Sequence, residues 1–325
     1  MNKMANNNNK NENNKPWAII TGGISTIGVG YASAKICRRR NMNVLLLDIR
    51  EKELTTTVEK LRNEVAGDGQ IESKMFDVSK ASAWDKLAFD YGPGKRQVGF
   101  LFLNAGVHSG KAIYEASAEH FEKVFQINVF GVANGLRSFT NLMLEQDINS
   151  YLVATASSAG LFTTQTGAYS ASKQAVRNMM EQMHADLKAH PQGKKIQCHV
   201  LCPGFFRSGL SETSRILGTR SIEDEKIIRK VYQEQKKANA KKKPSLKNST
   251  PPVRTMTNDE TAEMLFAHID RNEFYVLTSL DDGVMLRKQI SIGQSRIQNR
   301  EDPYVMFGGG WPRTYQQSDI GSSNL

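Results

Sequence analysis

Apolar residues along this chain fall into short unbroken blocks, separated by longer stretches in which they recur every three or four positions. The blocks include Trp17 to Thr21, the VLLL within Asn43 to Asp48 and the FLFL within Val98 to Leu103. A block of this length without polar alternation describes a strand buried on both faces, and helical periodicity between such blocks describes crossover helices. The pattern predicts strands at Trp17–Thr21, Asn43–Asp48, Ile71–Asp77, Val98–Leu103, Ser150–Ala156 and Lys195–Leu201. It predicts helices over Ile27–Arg40 and Glu51–Ala66, with room for a helix in each later interval. Such alternation specifies one α/β domain: a central parallel sheet, doubly wound, flanked by helices on both faces.

After Leu201 the rhythm gives way to a polar segment that ends in the Lys-, Ser- and Pro-rich run Lys241 to Pro252. A helix over Asn258–Arg271 and a short strand at Phe274–Leu277 follow. Residues 1–15 hold eight asparagines and no core-forming pattern, so they read as a disordered tail. Residues 16–290 make the domain, with a basic polar insertion at about 207–255, and residues 291–325 are Gly-rich and polar and read as an irregular arm. There is no internal repeat.

Composition narrows the classes. With 39% hydrophobic and 23% charged residues in 325, the chain can bury a large core. Its apolar blocks are far short of the roughly 20 residues that cross a bilayer, and Met1 to Lys15 offers no apolar signal region. Three cysteines, Cys37, Cys198 and Cys202, lack metal-ligand spacing and read as buried thiols of a reducing compartment, which points to the cytoplasm. The terminal Ser323-Asn324-Leu325 only faintly resembles a peroxisomal address, because the basic middle residue is missing. The net charge of +10 is concentrated: between Arg207 and Thr255 stand 13 Lys and Arg against five Asp and Glu. No aromatic residues interleave the densest run, Lys236 to Lys243. A solvated helix end therefore explains it better than a nucleic-acid surface.

Candidate chemistry begins where the first strand runs into Thr21-Gly22-Gly23-Ile24-Ser25-Thr26-Ile27-Gly28 and a helix follows at once. A glycine-rich turn in that place lets the backbone approach a pyrophosphate, whose charge then meets the free N–H groups of the helix, the Rossmann-type arrangement. Asp48, 20 residues after Gly28, ends the second strand, where its carboxylate can accept from both hydroxyls of an adenosine ribose. It would repel a 2′-phosphate, which favours NAD(H); nearby Arg50 leaves NADP(H) open.

Three further marks stand downstream: Leu103-Asn104-Ala105-Gly106, Ser157-Ser158-Ala159-Gly160 and Tyr169-Ser170-Ala171-Ser172-Lys173. With the turn and Pro203-Gly204, they make the chain resemble the short-chain dehydrogenase/reductase family from about Pro16 to Leu277. The chemistry stands on its own terms. Tyr169 and Lys173 are four apart and share a helix face, so the ammonium, with an oxidised nicotinamide, would pull the phenol below its usual pKa near ~10. The phenol could then exchange an alcohol proton, with the Ser157 hydroxyl on the substrate oxygen.

The resemblance adds Asn128 as holder of a water in a proton relay to Lys173. It places Asn104, Ala105 and Gly106 beside the adenosine ribose, Asp77 and Val78 near the adenine, and Pro203, Gly204, Phe206 and Ser208 near the carboxamide. It implies a small alcohol or carbonyl substrate and a homodimer or homotetramer built through the helices containing Asn128 and Tyr169. Two departures motivate an alternative, a catalytically weak dinucleotide-binding regulator or scaffold: Thr26 stands where the family has Gly, and the interval from Ser157 to Tyr169 is one residue short. His108 reads as a surface loop histidine without a catalytic role, and Met179, Met180 and Met183 as core or subunit contacts.

Overall fold

In the computed structural model, which describes residues 15–161, 166–204, 208–222, 256–278 and 291, seven parallel strands form one sheet. The strands are β1 (Trp17–Thr21), β2 (Asn43–Asp48), β3 (Ile71–Met75), β4 (Val98–Leu103), β5 (Ser150–Thr155), β6 (Ile196–Pro203) and β7 (Tyr275–Thr278). Their order is β3-β2-β1-β4-β5-β6-β7, so the direction of winding reverses between β1 and β4. At such a reversal the loops diverge and leave a crevice beyond the carboxyl ends of the strands.

Successive side chains of a strand point to opposite faces, and both faces are dry here. Trp17 and Ile19 enter one core with Leu101, Leu103 and Trp84; Ala18 and Ile20 enter the other with Phe100, Phe102 and Leu46. The first core is covered by α3 (Ala81–Ala88), α5 (Gly131–Glu145) and α6 (Gly167–Ala189), the second by α1 (Val29–Arg39), α2 (Glu51–Glu64) and α8 (Asn258–Asp270). Met180 is fully buried and Met179 and Met183 pack against the first core, as expected of gap-filling thioethers. Cys37, Cys198 and Cys202 are buried free thiols. Among the described residues, no helix is long and apolar enough to cross a membrane, and no cluster of metal-ligating side chains occurs.

Several boundaries differ from the periodicity by one or two residues, three of them for visible local reasons. β3 stops at Met75 rather than Asp77, because Asp77 Oδ1 accepts from both Ser79 N (2.9 Å) and Ser79 Oγ (2.7 Å), which turns the chain. β6 begins at Ile196, since Lys195 closes a 3-10 turn, and continues to Pro203. The helix after Gly28 starts at Val29, not Ile27. A short helix, α7 (Leu210–Ile216), occupies part of the stretch read as a polar excursion. Most of the basic insertion, the arm after residue 291 and the tail up to residue 14 lie outside the described residues.

Arg38 at the end of α1 is buried and donates from three nitrogens to three carbonyls: Val65 (2.6 Å), Gly67 (2.6 Å) and Gly69 (2.8 Å). This clamp fixes the loop between α2 and β3 and so the edge of the sheet beside β2. Arg38→Met leaves three buried or half-buried carbonyls without that donor. We expect a loss of about 3 kcal/mol in urea unfolding, with the far-UV spectrum retained.

Candidate active site

The site is organised where β1, β4 and β5 end. The Asn104 side-chain amide donates to Thr21 O at 3.1 Å and to Gly22 O at 3.3 Å, and its carbonyl accepts from Thr155 Oγ1 at 3.0 Å. Asn104 N and Ala105 N both donate to Thr21 Oγ1, at 2.9 and 3.0 Å. Side chains of two threonines and one asparagine thereby lock three strand ends in register.

Gly22 has φ +67°, and a Cβ there would lie 2.9 Å from Ala105 Cα. Only glycine satisfies both the left-handed backbone and the close approach. Gly30, which sequence reasoning did not single out, is needed for a different reason: a Cβ would lie 2.7 Å from Gly22 O. Its signal was present in the Gly28-Val29-Gly30 spacing, but the close approach is tertiary.

α1 has Gly28 as its cap and no acidic residue in its first turn, so no side chain competes for its leading N–H groups. Gly23 is buried beneath this turn, whereas Thr26 and Ile27 are exposed at its rim. Thr26 is not among the described non-glycine residues with positive φ, so its Cβ meets no backbone strain.

A cleft of about 500 Å³ extends from this turn, lined among others by Gly22, Asp48, Val78, Gly106, Lys123 and Thr213. Asp48 accepts from Arg50 N at 3.2 Å, and Arg50 Nε lies 3.8 Å from the same oxygen. Burial raises the Asp48 pKa from its ordinary value, opposed by the Arg50 backbone N–H and then by the Arg50 charge. Asp77 and Val78 line the same cleft with Ala105 and Gly106. Uncapped N–H groups, a glycine cradle and an acceptor at the far end of the cleft fit a dinucleotide.

The sequence-predicted chemical residues converge beyond Gly106, where a Cβ would lie 3.0 Å from Asn128 Oδ1 and 3.3 Å from Lys173 Nζ. Asn128 is fully buried in a π turn at residues 126–130, between α4 (Ala118–Phe125) and α5. Its Oδ1 accepts from Val107 N (2.8 Å), and its Nδ2 donates to Val107 O and Ser172 Oγ (each 2.9 Å). Lys173 Nζ donates to Thr155 O at 2.8 Å and lies 5.8 Å from the centre of the Tyr169 ring. Ser157, in extended backbone, begins a 3-10 turn over Ser158–Gly160; its Oγ accepts from Ala159 N at 3.1 Å, and its hydroxyl lowers the Tyr169 pKa against the rise that burial causes. Pro203 and Gly204 close β6, and Ser208 Oγ accepts from Leu210 N at 3.4 Å. Phe206 and the centre of the shortened loop, residues 162–165, lie outside the described residues.

Without a bound nicotinamide, burial raises the pKa of the Tyr169 phenol and Ser157 opposes the rise. Lys173 is itself 3% exposed, and burial lowers its pKa to about 8. One expectation is corrected. His108 is not a surface residue: it is half-buried, and its ring centre lies 4.5 Å from that of Tyr169.

This chain belongs to the short-chain dehydrogenase family, which it matches over residues 16–216. A diacetyl reductase [(S)-acetoin forming] of Staphylococcus epidermidis is 30% identical over 192 residues, 59% of this chain and 71% of that protein. A short-chain dehydrogenase/reductase of Burkholderia phymatum, solved in complex with NAD, is 27% identical with a TM-score of 0.69, covering 90% of this chain and 97% of that one. A short-chain dehydrogenase of Sphingobium yanoikuyae, solved in complex with NADPH, shares the fold at 18% identity and a TM-score of 0.64, covering 88% of this chain and 96% of that one.

Between about pH 8 and pH 10.5 the folded Lys173 holds fewer protons than the unfolded chain. Stability from this residue therefore rises with pH across that window and is at its lowest below it. In urea unfolding, wild type should gain on Lys173→Met as pH climbs from about 8 to 10.5. A difference that stays constant would mean the lysine titrates normally.

Proposed function

We infer that this oxidoreductase interconverts a secondary alcohol and its ketone, with Tyr169 as the acid/base. The observation that carries the reading is the gathering of Tyr169, Lys173 and Asn128 at Gly106, which lines the cleft: Lys173 Nζ lies 5.8 Å from the centre of the Tyr169 ring, and a Gly106 Cβ would lie 3.3 Å from that nitrogen and 3.0 Å from Asn128 Oδ1. A bound nicotinamide dinucleotide supplies the hydride acceptor or donor. The protein does the rest. Tyr169 gives or takes the proton at the substrate oxygen, and Ser157 hydrogen-bonds that same oxygen as its charge changes. Lys173 orients the nicotinamide ribose and contributes positive charge. Asn128 holds the water that links Lys173 to solvent, while its side chain pins Val107. Pro203, Gly204, Phe206 and Ser208 border the carboxamide.

Asp48 favours NAD(H). Its carboxylate sits at the end of the cleft with acceptor capacity beyond the Arg50 N–H, and it would repel a 2′-phosphate. The diacetyl reductase relative supports a small carbonyl substrate, and 2,3-butanedione heads the panel to be tried.

Following nicotinamide absorbance with secondary alcohols and ketones tests the reading. Tyr169→Phe should cut turnover by about a thousandfold or more, with NAD(H) uptake in calorimetry preserved; turnover that persists in this variant rejects Tyr169 as the acid/base. Asp48→Ser should raise the ratio of kcat/KM for NADPH over NADH by about 100-fold, near 2.7 kcal/mol. An unchanged ratio removes Asp48 as the selecting group.

A further inference from the structure

The turn that carries Ser157 is held from outside as well as within. Internally, Gly160 N donates to Ser157 O at 2.8 Å and Ala159 N donates to Ser157 Oγ at 3.1 Å. From α6, Ser170 Oγ donates to Ala159 O at 2.9 Å and Arg177 Nε donates to Gly160 O at 3.0 Å. The Arg177 fork has a second engagement, since its Nη1 pairs with Glu181 one helical turn onward. The same Glu181 oxygen accepts from Tyr275 Oη on β7. A line of polar contacts thus runs from strand β7 through α6 to the carbonyl that closes the Ser157 turn.

The stability this line supplies is small. The Arg177 and Glu181 side chains are 31% and 27% exposed, and ion pairs so accessible to water are weak. Its geometry is specific, because a planar guanidinium directs two bonds at fixed angles, and the pairing with Glu181 leaves Nε aimed at Gly160. Gly160 also packs against Lys173, where a Cβ would lie 2.7 Å from Lys173 O. A shift at Gly160 therefore propagates to Ser157 through the two bonds inside the turn, and Ser157 is the group that opposes the upward push of burial on the Tyr169 phenol.

We propose that Arg177 is a positioning residue: it grips the Gly160 carbonyl and, braced by Glu181 and Tyr275, keeps the Ser157 hydroxyl on the Tyr169 phenol. The consequence for catalysis rests on the roles given to Ser157 and Tyr169 above; the grip itself does not.

The test compares full-length Arg177→Met, Arg177→Lys, Ser157→Ala and the Ser157→Ala/Arg177→Met double variant with wild type. Two measurements need no turnover. Hydrogen exchange of the amides at 159–161 should accelerate about tenfold or more in Arg177→Met, while peptides from β1 and α1 stay as in wild type. Carbon-13 tyrosine NMR, with the Tyr169 signal assigned by Tyr169→Phe, should show its titration moved upward in Arg177→Met, in the same direction as in Ser157→Ala. The double variant should move no further than Ser157→Ala alone.

With 2,3-butanedione and NADH as probe, kcat should fall about tenfold in Arg177→Met with KM for NADH unchanged. It should fall no further in the Ser157→Ala background, and Arg177→Lys should recover part of the loss. Wild-type exchange and titration in Arg177→Met overturn the proposal. So does a loss that multiplies in the double variant, which marks a general structural role. A wild-type protein inert toward every probe rejects the functional reading instead, and exchange and titration still decide the grip.

Discussion

The whole arrangement depends on one junction, the pairing of Asn104 with Thr21, Gly22 and Thr155 at the reversal of strand order. Parallel strands that diverge at their carboxyl ends have no ladder left to fix the spacing of their loops. Here buried side-chain hydrogen bonds supply that spacing. Because Gly22 sits under Asn104 and Gly30 sits under Gly22, the turn at residues 22–28, the start of α1 and the segment 104–107 are packed against one another as one unit. Asn128 extends the same body to α5 and α6 by holding both polar groups of Val107 and the hydroxyl of Ser172.

Within that frame, burial rather than charge sets the resting state of the chemical groups. Tyr169 is pushed toward its neutral phenol and Lys173 toward its neutral amine, because both lie where water is excluded. A lysine that titrates at about 8 still carries its proton at neutral pH, so the protein holds one positive charge behind a neutral phenol at low dielectric. Any positive potential delivered at close range then acts on the phenol with little screening. A solvent-exposed pair of the same residues would sit nearer its ordinary values and respond less.

Much of this was legible in the sequence, and what was not has a common cause. Continuous apolar blocks gave the sheet because strands buried on both faces leave no other pattern, and the four-residue spacing of Tyr169 and Lys173 survives as a shared helix face. The boundaries that slipped, at Asp77, Lys195 and Ile27, were each decided by a turn or cap that periodicity does not encode. The π turn around Asn128 and the short α7 arise from tertiary fit. Contacts between distant segments were invisible as well. Arg177 reaches the Gly160 carbonyl, and His108 reaches the Tyr169 ring, only because three strand ends bring their loops together. A loop histidine and a helix arginine carry no mark of that in one dimension.

The segment after β6 shows why the two halves of the site cannot be treated separately. Gly209 lies so close to the phosphate-side turn that a Cβ would meet Ser25 Oγ at 2.3 Å, and Ser214 Oγ accepts from His108 N at 2.7 Å. Thr213 and Leu217 also line the cleft that begins at Gly22 and Asp48. The wall bordering the Tyr169 end is therefore the same piece of chain that borders the cleft between Gly22 and Asp48. The contacts of the cleft and the contacts beside Tyr169 share one short segment, so a substitution in α7 should alter both together.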